Sequence, residues 1–145
     1  MEHIKMKHVY IIGSKGIPAR YGGYETFVEK LTAGQQSPDI KYHVASRRDN
    51  TELSQENDVF EYNSAEIFSI DVPNIGPAQA IAYDIKALQW AIKNAKDIEA
   101  EAPIFYILAA RIGPFMGKYV KQIHALGGTY LINPDGHEWK RAKWP

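Results

Sequence analysis

Val9-Tyr-Ile-Ile12, broken at once by Gly13-Ser-Lys-Gly16, is the stretch on which the fold turns. A short apolar run that stops at glycine reads as a strand buried on both faces, followed by a loop. Beyond the loop, Glu25–Leu31 carries Phe27, Val28 and Leu31 on one helical face. Working outward, Tyr42–Ser46 predicts a second strand and Ile67–Val72 a third, ended by Pro73. Ile104-Phe-Tyr-Ile-Leu-Ala-Ala110 runs seven residues without a charge and predicts a central strand; Thr129–Ile132 predicts the last. Ile81, Ile85, Leu88, Ile92 and Ala95 recur at steps of four and three, which predicts a long helix over 78–100. Pro77 is placed to open that helix and Pro103 lies just past its end. A further helix over 114–126 turns Tyr119, Val120, Ile123 and Leu126 inward and stops at Gly127-Gly128. Strands alternating with helices give an α/β fold, a Rossmann-like parallel sheet with helices on both faces.

At 145 residues the chain is one domain's length, enough to bury roughly 68–70% of its unfolded surface without staples. Lys+Arg and Asp+Glu both number 17, so there is no basic excess of the kind a nucleic-acid binder carries. The absence of cysteine excludes a disulfide scaffold, thiol catalysis and sulfur-ligated zinc. No apolar run reaches the ~18–20 residues of a membrane span. The N-terminus lacks a signal peptide's apolar stretch, so a soluble, cytoplasmic chain is expected. The polar stretch 47–57 reads as a surface loop. Trp139, Trp144 and Pro145 crowd a terminus with no closing helix, which predicts that the natural chain continues.

Ligands of open parallel sheets bind at the carboxyl ends of the strands, and the unusual residues collect there. The loop Gly13-Ser-Lys-Gly-Ile-Pro-Ala-Arg-Tyr-Gly-Gly-Tyr-Glu25 fits neither the dinucleotide fingerprint nor the P-loop. Gly22-Gly23 at the mouth of a helix would let backbone N–H groups approach a phosphate, with Lys15 and Arg20 adding charge. The same glycines would equally serve as a tight turn and helix cap, and the residues leave both readings open. After the last strand, Asn133-Pro-Asp-Gly-His-Glu138 is not a zinc-protease motif. Asp135, His137 and Glu138 could share general-base, hydroxyl-binding and charge-stabilising roles, although Asp-Gly is also an ordinary turn. Arg111 follows the central strand. Arg47 and Arg48 read as a solvated loop, His3 and His8 as incidental, His124 as exposed or packed, and Trp90 as lying off its helix's apolar stripe, where it would mark a contact surface.

Taken together, Ile12-Gly-Ser-Lys-Gly-Ile-Pro-Ala-Arg-Tyr-Gly-Gly-Tyr-Glu-Thr-Phe-Val-Glu-Lys-Leu31 and Asn133-Pro-Asp-Gly-His-Glu-Trp-Lys-Arg141 resemble the N-terminal domain of bacterial rhamnosyltransferase-type enzymes of glycosyltransferase family 4. The resemblance runs from the first strand to the end of the chain. It implies a GT-B architecture, in which residues 1–145 form the N-terminal, acceptor-side half and a C-terminal donor-binding domain, missing from this chain, packs across the cleft. It also implies transfer of a sugar from a nucleoside diphosphate donor, such as dTDP-rhamnose, to a glycan or lipid-linked acceptor in surface polysaccharide biosynthesis. No metal or other cofactor is implied. Gly22 and Gly23 would approach the donor diphosphate, with Glu25 beside them as a substrate-binding residue. Asp135 and His137 would lie near the reacting sugar as catalytic residues, with Glu138 and Arg141 supporting that loop or contacting substrate. The full-length enzyme would touch the inner membrane face peripherally.

Two other classes remain in view. A stand-alone, non-catalytic nucleotide- or sugar-binding module fits a chain that ends at Pro145. A small NAD-dependent oxidoreductase fits poorly, because Ser46-Arg-Arg48 stands where an acidic ribose partner belongs.

Overall fold

A computed structural model describes residues 6–17, 23–34, 39–108 and 116–132. Six strands, β1 (Lys7–Ile12), β2 (Ile40–Arg47), β3 (Val59–Tyr62), β4 (Ala65–Ile70), β5 (Ile104–Ile107) and β6 (Thr129–Ile132), form one sheet in the order β3-β4-β2-β1-β5-β6. Every pairing is parallel except that of β3 with β4. Leaving β3 aside, the strands run third, second, first, fourth, fifth along the chain. This is the doubly wound Rossmann order, with its reversal between β1 and β5. The α/β reading therefore holds, with one correction: the far edge is an antiparallel hairpin. Asn63 and Ser64 both take positive φ (54° and 61°) and make its two-residue turn, whose twist suits the flanking strands. The polar stretch after β2 also holds a short helix, α2 (Glu52–Glu56), capped by Thr51 and Ser54.

Helices cover both faces. On one side α1 (Gly23–Ala33) lays Val28 over Ile11, Val44, Ile67 and Leu108. On the other, α3 (Gln79–Asp97) and α4 (Met116–Ala125) bury Leu88, Ala91, Ile92, Tyr119 and Ile123 against Tyr10, Phe68, Phe105 and Ile107. Alternate residues of β1 and β2 serve opposite cores, which is why Val9–Ile12 of β1 reads as a continuous apolar run rather than an alternating one. A single 3₁₀ turn, Gly76–Ala78, leads into α3. Trp90 is half-buried and stacks on Phe68, ring centroids 3.9 Å apart, so it is a packing residue rather than a contact surface. No helix among the described residues is long and apolar enough to cross a membrane.

Candidate functional site

The reversal in strand order opens a crevice at the carboxyl ends of β1 and β5, and the segment Gly13–Ile17 forms its β1 wall. Leu108 N–H donates to the Ile12 carbonyl at 2.8 Å, carrying the β1–β5 pairing to the rim. The wall is fastened from three sides. Glu25, in the first turn of α1 and 6% exposed, accepts the Lys15 N–H through Oε2 at 2.6 Å. The Lys15 carbonyl accepts the Arg47 N–H at 2.9 Å and the Ser46 hydroxyl at 3.4 Å. Tyr83 of α3 donates its hydroxyl to the Ser14 carbonyl at 2.5 Å. Gly13 and Gly16 take φ of 115° and 122°, a region L side chains rarely enter. Gly16 also lies so close to Ser46 that a Cβ would come within 2.2 Å of its Oγ. Ile17 plugs the end of the segment with no exposed surface.

The predicted site residues divide accordingly. Gly23 is the first residue of α1, at the crevice end of the sheet. Glu25 acts on the protein itself, since its carboxylate spans from the helix to the loop. It also occupies the positive end of the α1 dipole, where a carboxylate is favoured. Gly22, Asp135, His137, Glu138 and Arg141 lie outside the described residues, as do Arg20 and Arg111. β6, parallel to β5, ends at Ile132 on the same carboxyl edge. Lys15 extends an exposed side chain from a locked backbone.

Two buried polar residues were not foreseen. Asp84, beside Tyr83 in the second turn of α3, is fully buried. The apolar stripe through Leu88, Ile92 and Ala95, extended back one turn, lands on it, and that is the signal that would have found it. Ser14, also fully buried, has a hydroxyl with no hydrogen-bond partner among the described residues.

At the end of β2 the arginines are committed to structure. Arg47 pairs with Asp49 through two bonds of 3.0 and 3.1 Å. Arg48 donates to Asp71 at 2.9 Å, to Asp58 at 2.7 Å and to the carbonyls of Ser54 and Asn57 at 3.3 Å each. The bonds from Asp71 and Asp58 hold that guanidinium still more firmly in its charged form. Neither is a solvated bystander: Arg48 ties β2, α2 and β4 into one corner. Ser46, near the end of β2, packs against Gly16.

A second polar cluster crosses the amino-end half of the sheet on the α3 side. His8 Nδ1 lies 2.8 Å from His43 Nε2, and His43 Nδ1 lies 2.7 Å from Glu66 Oε1. Tyr10 stacks on His43 with centroids 4.3 Å apart and donates its hydroxyl to Asn94 at 2.6 Å. The bond from His43 holds the Glu66 carboxyl below its usual range, while burial, then the neighbouring His43, pulls His8 down. Burial pushes Tyr10 up. The His43 ring bridges His8 on β1 to Glu66 on β4. His8 is therefore part of a network rather than incidental; His3 lies outside the described residues. His124 is exposed.

A family model described as a domain of unknown function, DUF1972, matches residues 6–145. The chain belongs to this family. The DUF1972 match takes in both the glycine-rich loop and the segment 133–141. No curated protein and no solved structure matches the chain. Among the described residues of this DUF1972 domain, no group of three or more His, Asp and Glu side chains could hold a metal ion.

Proposed function

We propose that this DUF1972 domain is the acceptor-side half of a GT-B glycosyltransferase. It would act at the cytoplasmic face of the membrane on a glycan or lipid-linked acceptor, with a sugar, rhamnose from dTDP-rhamnose in the first instance, as the group transferred. The observation that carries this reading is the fastened glycine wall at the strand-order reversal. Its backbone is held by the protein's own groups, Glu25, Ser46, Arg47 and Tyr83. Such a wall needs no reorganisation when a ligand docks, which is what preorganised stabilisation of developing charge demands. The Lys15 N–H is already taken by Glu25, so donors for a donor diphosphate would come from Gly22-Gly23 and the start of α1. Asp135 and His137 would act at the reacting sugar, with Glu138 and Arg141 beside them. A second domain would close the crevice and bring most of the sugar nucleotide.

The test is turnover of nucleoside diphosphate sugars, dTDP-rhamnose first, by the full-length gene product. Gly23→Val should block the donor while leaving the fold intact. Asp135→Asn and His137→Ala should each cut turnover by about 10²-fold or more if they take part in proton transfer. Wild-type turnover in all three variants would remove the assignment. Tight sugar-nucleotide binding with no turnover would replace it with a binding module.

A further inference from the structure

Between α3 and α4 lies a groove of about 310 Å³. This volume is at the small end of ligand sites, which run about 300–1,000 Å³. Ile92, nearly buried, and the Tyr119 ring supply its apolar wall, while Lys93, Lys96 and Lys118 with Gln89 and Gln122 supply the rest. No acidic side chain lines it. Lys118 Nζ sits 5.1 Å from the Tyr119 ring centroid, and Gln89 donates to the Tyr119 hydroxyl at 2.9 Å, leaving that O–H to donate in turn. Lys93 is held by Asp97 at 2.8 Å, whereas Lys96 and Lys118 make no ion pair among the described residues.

The charge around it is one-sided. α3 and α4 present five exposed lysines, Lys86, Lys93, Lys96, Lys118 and Lys121, against the single exposed acid Asp97. In a chain with 17 charges of each sign this is segregation, not composition. Three ammonium groups, a phenol and two amides line the groove, and of the three ammonium groups only that of Lys93 is paired with a carboxylate among the described residues, that of Asp97. Lysines there act as point charges towards a compact, multiply charged oxyanion.

We propose that the α3–α4 groove binds a phosphate mono- or diester group, independently of the glycosyl-transfer reading. The group would be supplied either by a soluble phosphorylated molecule or by an anionic lipid headgroup. The site requires Lys96 and Lys118, which approach the same ligand from two different helices.

Inorganic pyrophosphate titrated into the full chain, followed by amide chemical shifts, tests the first source. Co-sedimentation with phosphatidylcholine vesicles, with and without phosphatidylglycerol, tests the second. The double variant Lys96→Glu/Lys118→Glu should weaken whichever binding occurs by about tenfold or more, given the strength of hydrogen bonds to charged groups. Lys121→Glu reverses a neighbouring exposed charge outside the groove and should change it little. All three lysines are exposed, so their replacement leaves the core untouched. Shifts confined to Gln89, Tyr119, Gln122 and their neighbours, lost in the double variant, support the site. Equal loss in Lys121→Glu, binding unaffected by the double variant, or no binding to either probe overturns it.

Discussion

Replacing Gly16 with alanine puts the rigidity of the crevice wall to a direct test. Two separate costs arise at this position. The first is conformational: φ is 122°, and holding an L residue in a region that is essentially glycine's costs about 1–3 kcal/mol. The second is steric: the new Cβ would stand 2.2 Å from Ser46 Oγ, 2.6 Å from its Cβ and 2.9 Å from its Cα. Relieving such an overlap in a packed setting costs about 1–3 kcal/mol. The sum, about 2–6 kcal/mol, is a large part of the roughly 5–15 kcal/mol that holds a domain folded. Thermal unfolding followed by circular dichroism should show Tm lowered by roughly 10 °C or more. The two costs separate in the double variant Gly16→Ala/Ser46→Gly, which removes the two shorter contacts and leaves the backbone term. A cycle over the four proteins should return a favourable coupling of about 1 kcal/mol or more, as expected for residues in contact. A Gly16→Ala protein melting within about 2 °C of wild type would refute the close approach of this loop to β2, and with it the fastened wall.

Acid should loosen the sheet in two steps. His8 is held below its ordinary value, so its contribution is complete above pH 6.5 and is lost as pH falls below that. Glu66 is likewise depressed, so its contribution is present above pH 4.5 and disappears as pH falls through its lower folded value. Urea midpoints measured from pH 7.5 down to about 3 should decline along both limbs, His8→Gln should flatten the first and Glu66→Gln the second, and a wild-type midpoint independent of pH would dispose of the network. Arg48→Lys keeps the charge but loses the fork that joins Asp58 and Asp71 and caps two carbonyls. Because both acids are largely exposed, we expect a loss of only about 1–2 kcal/mol by urea unfolding. Stability equal to wild type would mean the corner is held by something else.

Much of this architecture was open to reading from residue order, because the buried ends of β1 and β5 spell themselves as apolar runs. The hairpin of β3 and β4 was not. Its turn uses Asn63-Ser64, without the glycine that ordinarily signals two consecutive positive φ values, and Asn63 is anchored from outside by its side-chain bond to Thr32 Oγ1. The short α2 was hidden for a similar reason, since five residues with Leu53 alone apolar carry no periodicity and only the Thr51–Ser54 cap defines them. The glycine loop was legible as a site, but its division of labour was not. Glu25 meets Lys15, ten residues away, and Tyr83 meets Ser14, sixty-nine away, so neither bond leaves a local pattern. The histidine pair was overlooked because His8 and His43 become neighbours only through strand register.

The sheet order also sets a timetable for synthesis. β1, β2, β3 and β4 have all been synthesised by residue 70, and once they emerge they can pair among themselves without waiting for the rest of the chain. The other edge of β1 waits for β5, whose last residue is 107. At about 5–20 residues per second, the 37 residues between those points take roughly 2–7 s to make. For that interval Val9–Ile12, the most apolar strand edge in the nascent chain, has its backbone donors and acceptors open to any passing strand. Each newly made chain therefore passes through a brief aggregation-prone state that ends only when β5 docks.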